Sequence, residues 1–180
     1  MERTMKPEAR WVLIGIGTNL ERERHVSLAL DALEQRFGTL EISRVFESEP
    51  VGYSGGHNFY NLVVGFESGI GVAELSAWTK ALEQRTGRRP EDPKYGPRRL
   101  DLDLLCIGDL DGVFDGVELP RGEILTSAFV LRPLGESFAT LRHPHLGRRF
   151  DTLWSEFDPG EQRLWPVEFS WHGRRISRPD

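Results

Sequence analysis

Two carboxylates, Asp101 and Asp103, stand one residue apart in the run YGPRRLDLDLL, Tyr95 to Leu105, which otherwise reads as a buried strand. Successive strand side chains point to opposite faces, so both aspartates share one surface while Leu100, Leu102 and Leu104 share the other. Aspartate is depleted in strands, and like charges this close push each other toward protonation unless nearby cations compensate. A hard divalent metal meets that need, because magnesium takes one or two carboxylates together with substrate phosphate oxygens and water. The alternative is a pair of solvated carboxylates on an open sheet face, bridged to Arg98 or Arg99.

The segment just before the pair is locally cationic. From Glu83 to Arg99 six cations (Arg85, Arg88, Arg89, Lys94, Arg98, Arg99) stand against Glu83, Glu91 and Asp92. Basic side chains on a proline-stiffened loop beside a metal-type acid pair suit polyphosphate recognition. A charge run taken alone is more often a solvated surface. The loop SEPVGYSGGHNFYN offers aromatic faces in Tyr53, Phe59 and Tyr60 and the amide of Asn61. Flat heterocycles bind through stacking and a few polar edge contacts, although the same rings serve equally well in a core.

Other motifs carry less. GIGTNL, Gly15 to Leu20, lacks the third glycine of a dinucleotide fingerprint, and no GxxxxGK followed by Ser or Thr exists, so P-loop use of ATP is excluded. What remains is a glycine turn whose Thr18 and Asn19 suit capping of the next helix. His143 and His145 flank a proline with no third ligand nearby, weak ground for zinc; with His25, His57 and His172 they read as surface or packing residues. The single cysteine, Cys106, sits among Leu104, Leu105 and Ile107 and reads as a small buried hydrophobe.

Several elements must position these groups. Trp11 to Ile16 reads as a strand, and Val26, Ala29, Leu30, Leu33 and Phe37 mark a helix over Glu21 to Phe37. Leu40 to Ser48 alternates as a strand, with Ile42, Val45 and Phe46 available for burial, and Phe59 to Phe66 forms its partner. Val72, Leu75, Trp78 and Leu82 mark a second helix ending near Gly87, and LDLDLLCI is the fourth strand. The order βαββαβ predicts an α+β, ferredoxin-like sandwich with both helices on one face of an antiparallel sheet. The other face needs a cover, which the remaining third can supply. Ala128 to Phe138 reads as helical despite Pro133, whereas Pro144 to Asp180 yields no assigned element. The predicted organisation is a tail over 1–10, a domain over 11–150 and a C-terminal extension over 151–180.

The totals fit this scale. A chain of 180 residues, 38% hydrophobic and 28% charged, suits one globular domain with decoration. A net charge of -5 argues against a general nucleic-acid binder. The opening MERTMKPEARW lacks a secretory apolar core, and no run approaches the length of a membrane span, so a cytoplasmic protein without a membrane partner is expected. Its oligomeric state is read only as monomer or homodimer.

Together the motifs resemble the 6-hydroxymethyl-7,8-dihydropterin pyrophosphokinase family, in which a pyrophosphoryl group passes from ATP to a pterin alcohol in folate biosynthesis. The most specific piece is GPRRLDLDLL, similar to the family's GPRxLDLD; GTNL, EPVGY, FYNLVV, and LP followed by AFVLRPL support it in order and spacing, from about Trp11 to Leu134. The resemblance implies that Asp101 and Asp103 bind two Mg2+ ions bridging the ATP phosphates, with Arg88 and Arg98 neutralising phosphate charge. It implies a pterin slot of Ser48, Glu49, Pro50 and Val51, with Phe59, Tyr95 and Phe129 near the ring and Asn61 at its edge. The proline-rich loop would close over ATP and exclude water. No general base is identified.

Departures cluster on the nucleotide side. Pro90 stands where the family usually has an arginine two positions after the one matched by Arg88, though Arg89 is adjacent. Lys94 and Tyr95 replace Arg-Trp, Arg121 replaces the histidine after LP, and Ser127 replaces an arginine. Arg89 and Arg121 are the candidate nucleotide-binding replacements. Each lost charge-assisted hydrogen bond costs about 1.5–3 kcal/mol. A second reading is therefore a divergent paralogue that binds pterin but has lost or altered the transfer, and a third keeps the chemistry with another donor or acceptor.

Overall fold

A computed structural model describes residues 8–50, 57–87 and 100–180. Its centre is an antiparallel pair, β1 (Arg10–Thr18) and β4 (Phe59–Ser68), with Ile14 opposite Val64 and Gly17 opposite Asn61. β5 (Asp101–Ile107) flanks β1, while β3 (Phe46–Ser48) flanks β4. The short β2 (Glu41–Ile42) also pairs with β4, and β8 (Leu164–Pro166) extends the sheet beyond β3, giving the order β5-β1-β4-β3-β8. This is a mixed α/β fold on an antiparallel sheet.

Both sheet faces are covered, which is why β4 is buried continuously from Tyr60 to Phe66 instead of alternating. On one face Val12, Ile14, Ile16, Leu62 and Leu102 pack under α1 (Arg22–Phe37) and α2 (Val72–Arg85) through Leu30, Leu33, Leu75 and Leu82. On the other, Leu13, Val63, Leu105 and Cys106 meet α3 (Ala128–Ser137) and α4 (Phe150–Ser155). A bulge reconciles the two faces: Leu13 opposes Cys106 and Ile14 opposes Leu104, so Leu105 is the extra residue. Leu104 therefore enters one core and its neighbours Leu105 and Cys106 the other. Burial pushes the Cys106 thiol up to about 12, which keeps it a neutral packing group.

Two expectations are corrected. The strand expected over Leu40 to Ser48 is broken between β2 and β3, because Ser43 substitutes its side chain into the ladder: the Val63 N–H donates to Ser43 Oγ at 2.8 Å. The Val45 N–H then donates to Ser177 Oγ at 2.9 Å instead of to a strand of the sheet. At the start of α1 the N-cap position falls on Glu21, with φ 44° and no side-chain cap bond, while Thr18 belongs to β1 and donates to the Leu20 carbonyl at 3.1 Å. His25 Nδ1 also bonds that carbonyl at 2.6 Å, so a buried histidine fixes the turn where capping was expected.

The C-terminal region, unassigned by sequence, contains α4, β8 and a hairpin of β9 (Phe169–Trp171) and β10 (Arg174–Ser177). His172 and Gly173 at the hairpin turn both have positive φ, 52° and 71°, the geometry that matches strand twist in a two-residue turn. Phe169 and Trp171 complete the core beneath α1, and Trp171 Nε1 donates to Asp31 Oδ1 at 2.9 Å. No helix among the described residues is long and apolar enough to cross a membrane.

The contact between α3 and α4 is closer than an ordinary helix pair allows. Alanine at an interior helix position ordinarily gains about 1 kcal/mol over glycine. At Gly135, however, a Cβ would lie 2.6 Å from Trp154 Cβ and 3.2 Å from the Phe150 carbonyl oxygen, atoms that α4 holds rigidly. Overpacking costs about 1–3 kcal/mol. Gly135→Ala is therefore expected to lower the urea midpoint, against the sign that helix propensity alone predicts.

Candidate active site

Strand alternation holds at β5: Leu102 and Leu104 point into the core beneath the helices, whereas Asp101 and Asp103 are partly buried on the opposite face. Their positions across the sheet follow from register. Gly17 opposes Asp101 on one side and Asn61 on the other, and Gly15 opposes Asp103. Because glycine has no side chain, the floor between Asp101 and the Asn61 amide is bare at Gly17, where a Cβ would come within 3.2 Å of Asn61 Oδ1, whereas the Leu105 side chain packs over Gly15. Two strand spacings, about 10 Å, separate the acid strand from the amide strand.

Glu83, in the last turn of α2, reaches the outer edge of β5, where its Oε2 accepts the Leu102 N–H at 3.1 Å. This bond fixes the strand backbone between the two aspartates. In the sequence Glu83 stands out only as a charge; its place five residues before Arg88 gives no indication that it reaches a strand edge.

A cavity of about 560 Å³ opens over the acids, lined among others by Lys80, Glu83, Asp101, Asp103, Arg121 and Glu123. Arg121 follows β7 (Val117–Leu119), and its backbone N–H donates to the Leu105 carbonyl at 2.9 Å, which seats it beside β5. Its Nη2 lies 2.8 Å from Glu123 Oε1 and 3.6 Å from Asp103 Oδ1. Its Nε is buried, with no hydrogen-bond partner among the described residues. Burial by itself would lower the Arg121 pKa, but the neighbouring Asp103 and Glu123 carboxylates outweigh it and raise the value, so the group stays charged.

At the other end of the same face Asn61 Nδ2 donates to Ser48 Oγ at 2.7 Å, with both residues buried. Ser48 opposes Phe59 across β3 and β4. A cavity of about 430 Å³ is lined by Ser48, Glu49, Pro50 and Phe129 together with residues of the segment from Pro159 to Leu164. Thus Ser48, Glu49, Pro50, Phe59, Asn61 and Phe129 gather at one end of the sheet, and Asp101, Asp103 and Arg121 at the other. Val51, Arg88, Arg89, Tyr95 and Arg98, with most of the cationic loop, lie outside the described residues. A further cavity of about 610 Å³ at the start of α1 is lined by Arg22, Glu47 and Tyr60, whose ring belongs to the core beneath α1 and α2 and not to the slot beside Ser48.

Two features of the site have no clear local signature in the sequence. Gly15 and Gly17 read in the sequence as a failed fingerprint and a turn before the helix, although glycines at alternate strand positions signal a close approach from one face. Gln162 lies in a region where no element was assigned, and only its contacts identify it.

The family model for 7,8-dihydro-6-hydroxymethylpterin-pyrophosphokinase (HPPK) matches residues 13–138. Among similar proteins, the 2-amino-4-hydroxy-6-hydroxymethyldihydropteridine pyrophosphokinase of Pseudomonas aeruginosa is 32% identical over 145 residues, covering 79% of this chain and 88% of that one. The protein of the same name from Porphyromonas gingivalis is 33% identical over 142 residues, covering 74% and 93%. A crystal structure of Plasmodium falciparum HPPK-DHPS shares the fold, with a TM-score of 0.71 at 11% identity; the alignment covers 96% of this chain and only 47% of the longer one. Because the family match runs from β1 through α3 and takes in Asp101, Asp103 and Asn61, the chain belongs to the 7,8-dihydro-6-hydroxymethylpterin-pyrophosphokinase family.

Proposed function

We propose that this protein transfers pyrophosphate from ATP to 6-hydroxymethyl-7,8-dihydropterin, giving AMP and the pterin diphosphate for folate biosynthesis. One observation carries the reading: Asp101 and Asp103 share a sheet face with Asn61, and across the sheet only Gly17 stands between Asp101 and Asn61. The phosphates belong at the acid end, beside Arg121, and the pterin at the end formed by Ser48, Glu49, Pro50, Phe59, Asn61 and Phe129. Arg88, Arg89 and Arg98 add phosphate-neutralising charge, and Val51 and Tyr95 complete the slot.

The donor set suits magnesium. Two hard carboxylates, with no cluster of three or more His, Cys, Asp or Glu among the described residues, fit an ion that completes its shell with phosphate oxygens and water. Two Mg2+ ions held by Asp101 and Asp103 would neutralise charge and polarise the phosphate oxygens. The chain's own contribution is positioning. Phe59 and Phe129 orient the ring, Asn61 and Ser48 fix its edge, and Glu83 holds β5 so that both carboxylates keep their spacing. The pterin hydroxyl oxygen bonds to the β-phosphorus as the bond to the α–β bridging oxygen breaks; AMP takes that electron pair and the hydroxyl proton passes to solvent.

The strand order β5-β1-β4-β3, with α1 and α2 packed on one face, supports a ferredoxin-like reading of the core. Residues 11–150 are read as the catalytic domain, with 1–10 as a tail and 151–180 as an extension. Incubation with magnesium, ATP and 6-hydroxymethyl-7,8-dihydropterin tests the function. AMP and pterin diphosphate in equal amounts are expected; ADP, or no nucleotide product, overturns it.

A further inference from the structure

Residues 159–164 lie beyond the family match, which ends at Phe138, yet they touch both sides of the cavity that holds Ser48 and Phe129. On one side the Glu49 N–H donates to the Arg163 carbonyl at 3.3 Å, and Leu164 pairs with Ser48 across β8 and β3. On the other side Gln162 makes two bonds to the start of α3. Its Oε1 accepts the Ala128 N–H at 2.8 Å, and its Nε2 donates to the Thr126 carbonyl at 2.9 Å. Ser127, the N-cap residue of α3, makes no side-chain cap bond, so Gln162 supplies the cap from 35 residues downstream.

The consequence is geometric. Phe129 is the second residue of α3, and its ring position depends on where the first helical turn sits. That turn is held by Gln162, whose own backbone neighbour is held by Glu49. A single short segment therefore links the two walls of the slot and sets the gap between them.

We propose that Pro159–Leu164 forms the outer wall of the pterin slot and that Gln162 is a positioning residue for Phe129, setting pterin affinity through the spacing of Phe129 from Ser48–Pro50. This rests on the pterin reading of the slot given above. A flat ring gains most from stacking when the opposing surfaces stand at ring thickness, and edge hydrogen bonds add specificity only if the ring is held in register with them. Gln162 holds that spacing without touching ATP's end of the face. Glu161, exposed on the cavity wall, has space in front of it that the ligand would occupy.

Two variants test this by pterin binding measured with magnesium and a nonhydrolysable ATP analogue present, with Michaelis constants for both substrates and a thermal melt alongside. Gln162→Met keeps the side chain's length and removes both hydrogen bonds. It is expected to weaken pterin binding and raise the pterin KM about tenfold, with the ATP KM unchanged, and Gln162→Glu, which retains the acceptor for Ala128, is expected to recover part of the loss. A purely structural role would lower the melting temperature and leave pterin affinity alone. Glu161→Trp places a large ring into the cavity from the surface and is expected to weaken pterin binding at least as much, without dependence on how Gln162→Met folds. Wild-type protein that binds pterin and yields AMP, with both variants within twofold of it in pterin affinity, overturns this inference alone. Wild-type protein that binds no pterin overturns the slot assignment as well.

Discussion

Asp101→Ala and Asp103→Ala are each expected to reduce pyrophosphoryl transfer by about a thousandfold or more, while pterin affinity measured without nucleotide stays within about twofold. Ligation of phosphate-bridging metal is worth several kcal/mol of charge stabilisation, and every 1.36 kcal/mol is a factor of ten, so about 4 kcal/mol suffices. Little of the loss comes from misfolding. Both aspartates are partly exposed on a sheet edge, so alanine leaves no buried cavity, and alanine is no worse a strand residue than aspartate. The pterin side is insulated because Gly17 separates Asp101 from Asn61. Asn substitutions keep the shape and remove one charge; they are expected to shift the magnesium requirement upward, read as the concentration giving half-maximal AMP production. Full turnover in both alanine variants would refute the assignment of the acids.

How far the sequence revealed this arrangement depends on the range of the interactions involved. The acid pair was legible because strand alternation is a local rule, and Asp101 with Asp103 violates strand composition conspicuously. The helices were legible from the periodicity of residues such as Val26, Leu30 and Leu33, all buried in the core. Ser43 was not, because a serine that takes a ladder position by bonding Val63 looks like any polar strand residue until its partner is known. The C-terminal strands are three or four residues long and exist through pairing, β8 with β3 and β9 with β10, so no local pattern specifies them. The family motifs single out Asn61 and Phe129 as candidates for the pterin slot, yet they give no access to Gln162, whose partners lie 34 to 36 positions away.

Arg121→Gln is expected to raise the ATP KM about 10- to 100-fold, with pterin binding unaffected. Two effects of opposite sign meet at this side chain. As a counter-ion, Arg121 competes with magnesium for Asp103, and removing it would strengthen metal binding. That ion pair spans 3.6 Å between side chains 39% and 28% exposed, so it belongs with the weakly stabilising surface pairs of about 0–1 kcal/mol. As a phosphate ligand, Arg121 offers charge-assisted hydrogen bonds worth about 1.5–3 kcal/mol, and its buried Nε has a donor to give. The phosphate contribution is larger, which fixes the expected sign. Glu123 holds the same guanidinium at 2.8 Å and competes with the nucleotide for it, so Glu123→Gln is expected to lower the ATP KM by about two- to fivefold. Arg121→His, which restores the residue usual in the family, is expected to fall between wild type and Arg121→Gln. Unchanged ATP KM in Arg121→Gln together with tighter magnesium binding, measured by calorimetry, would leave Arg121 as a counter-ion of Asp103 and nothing more.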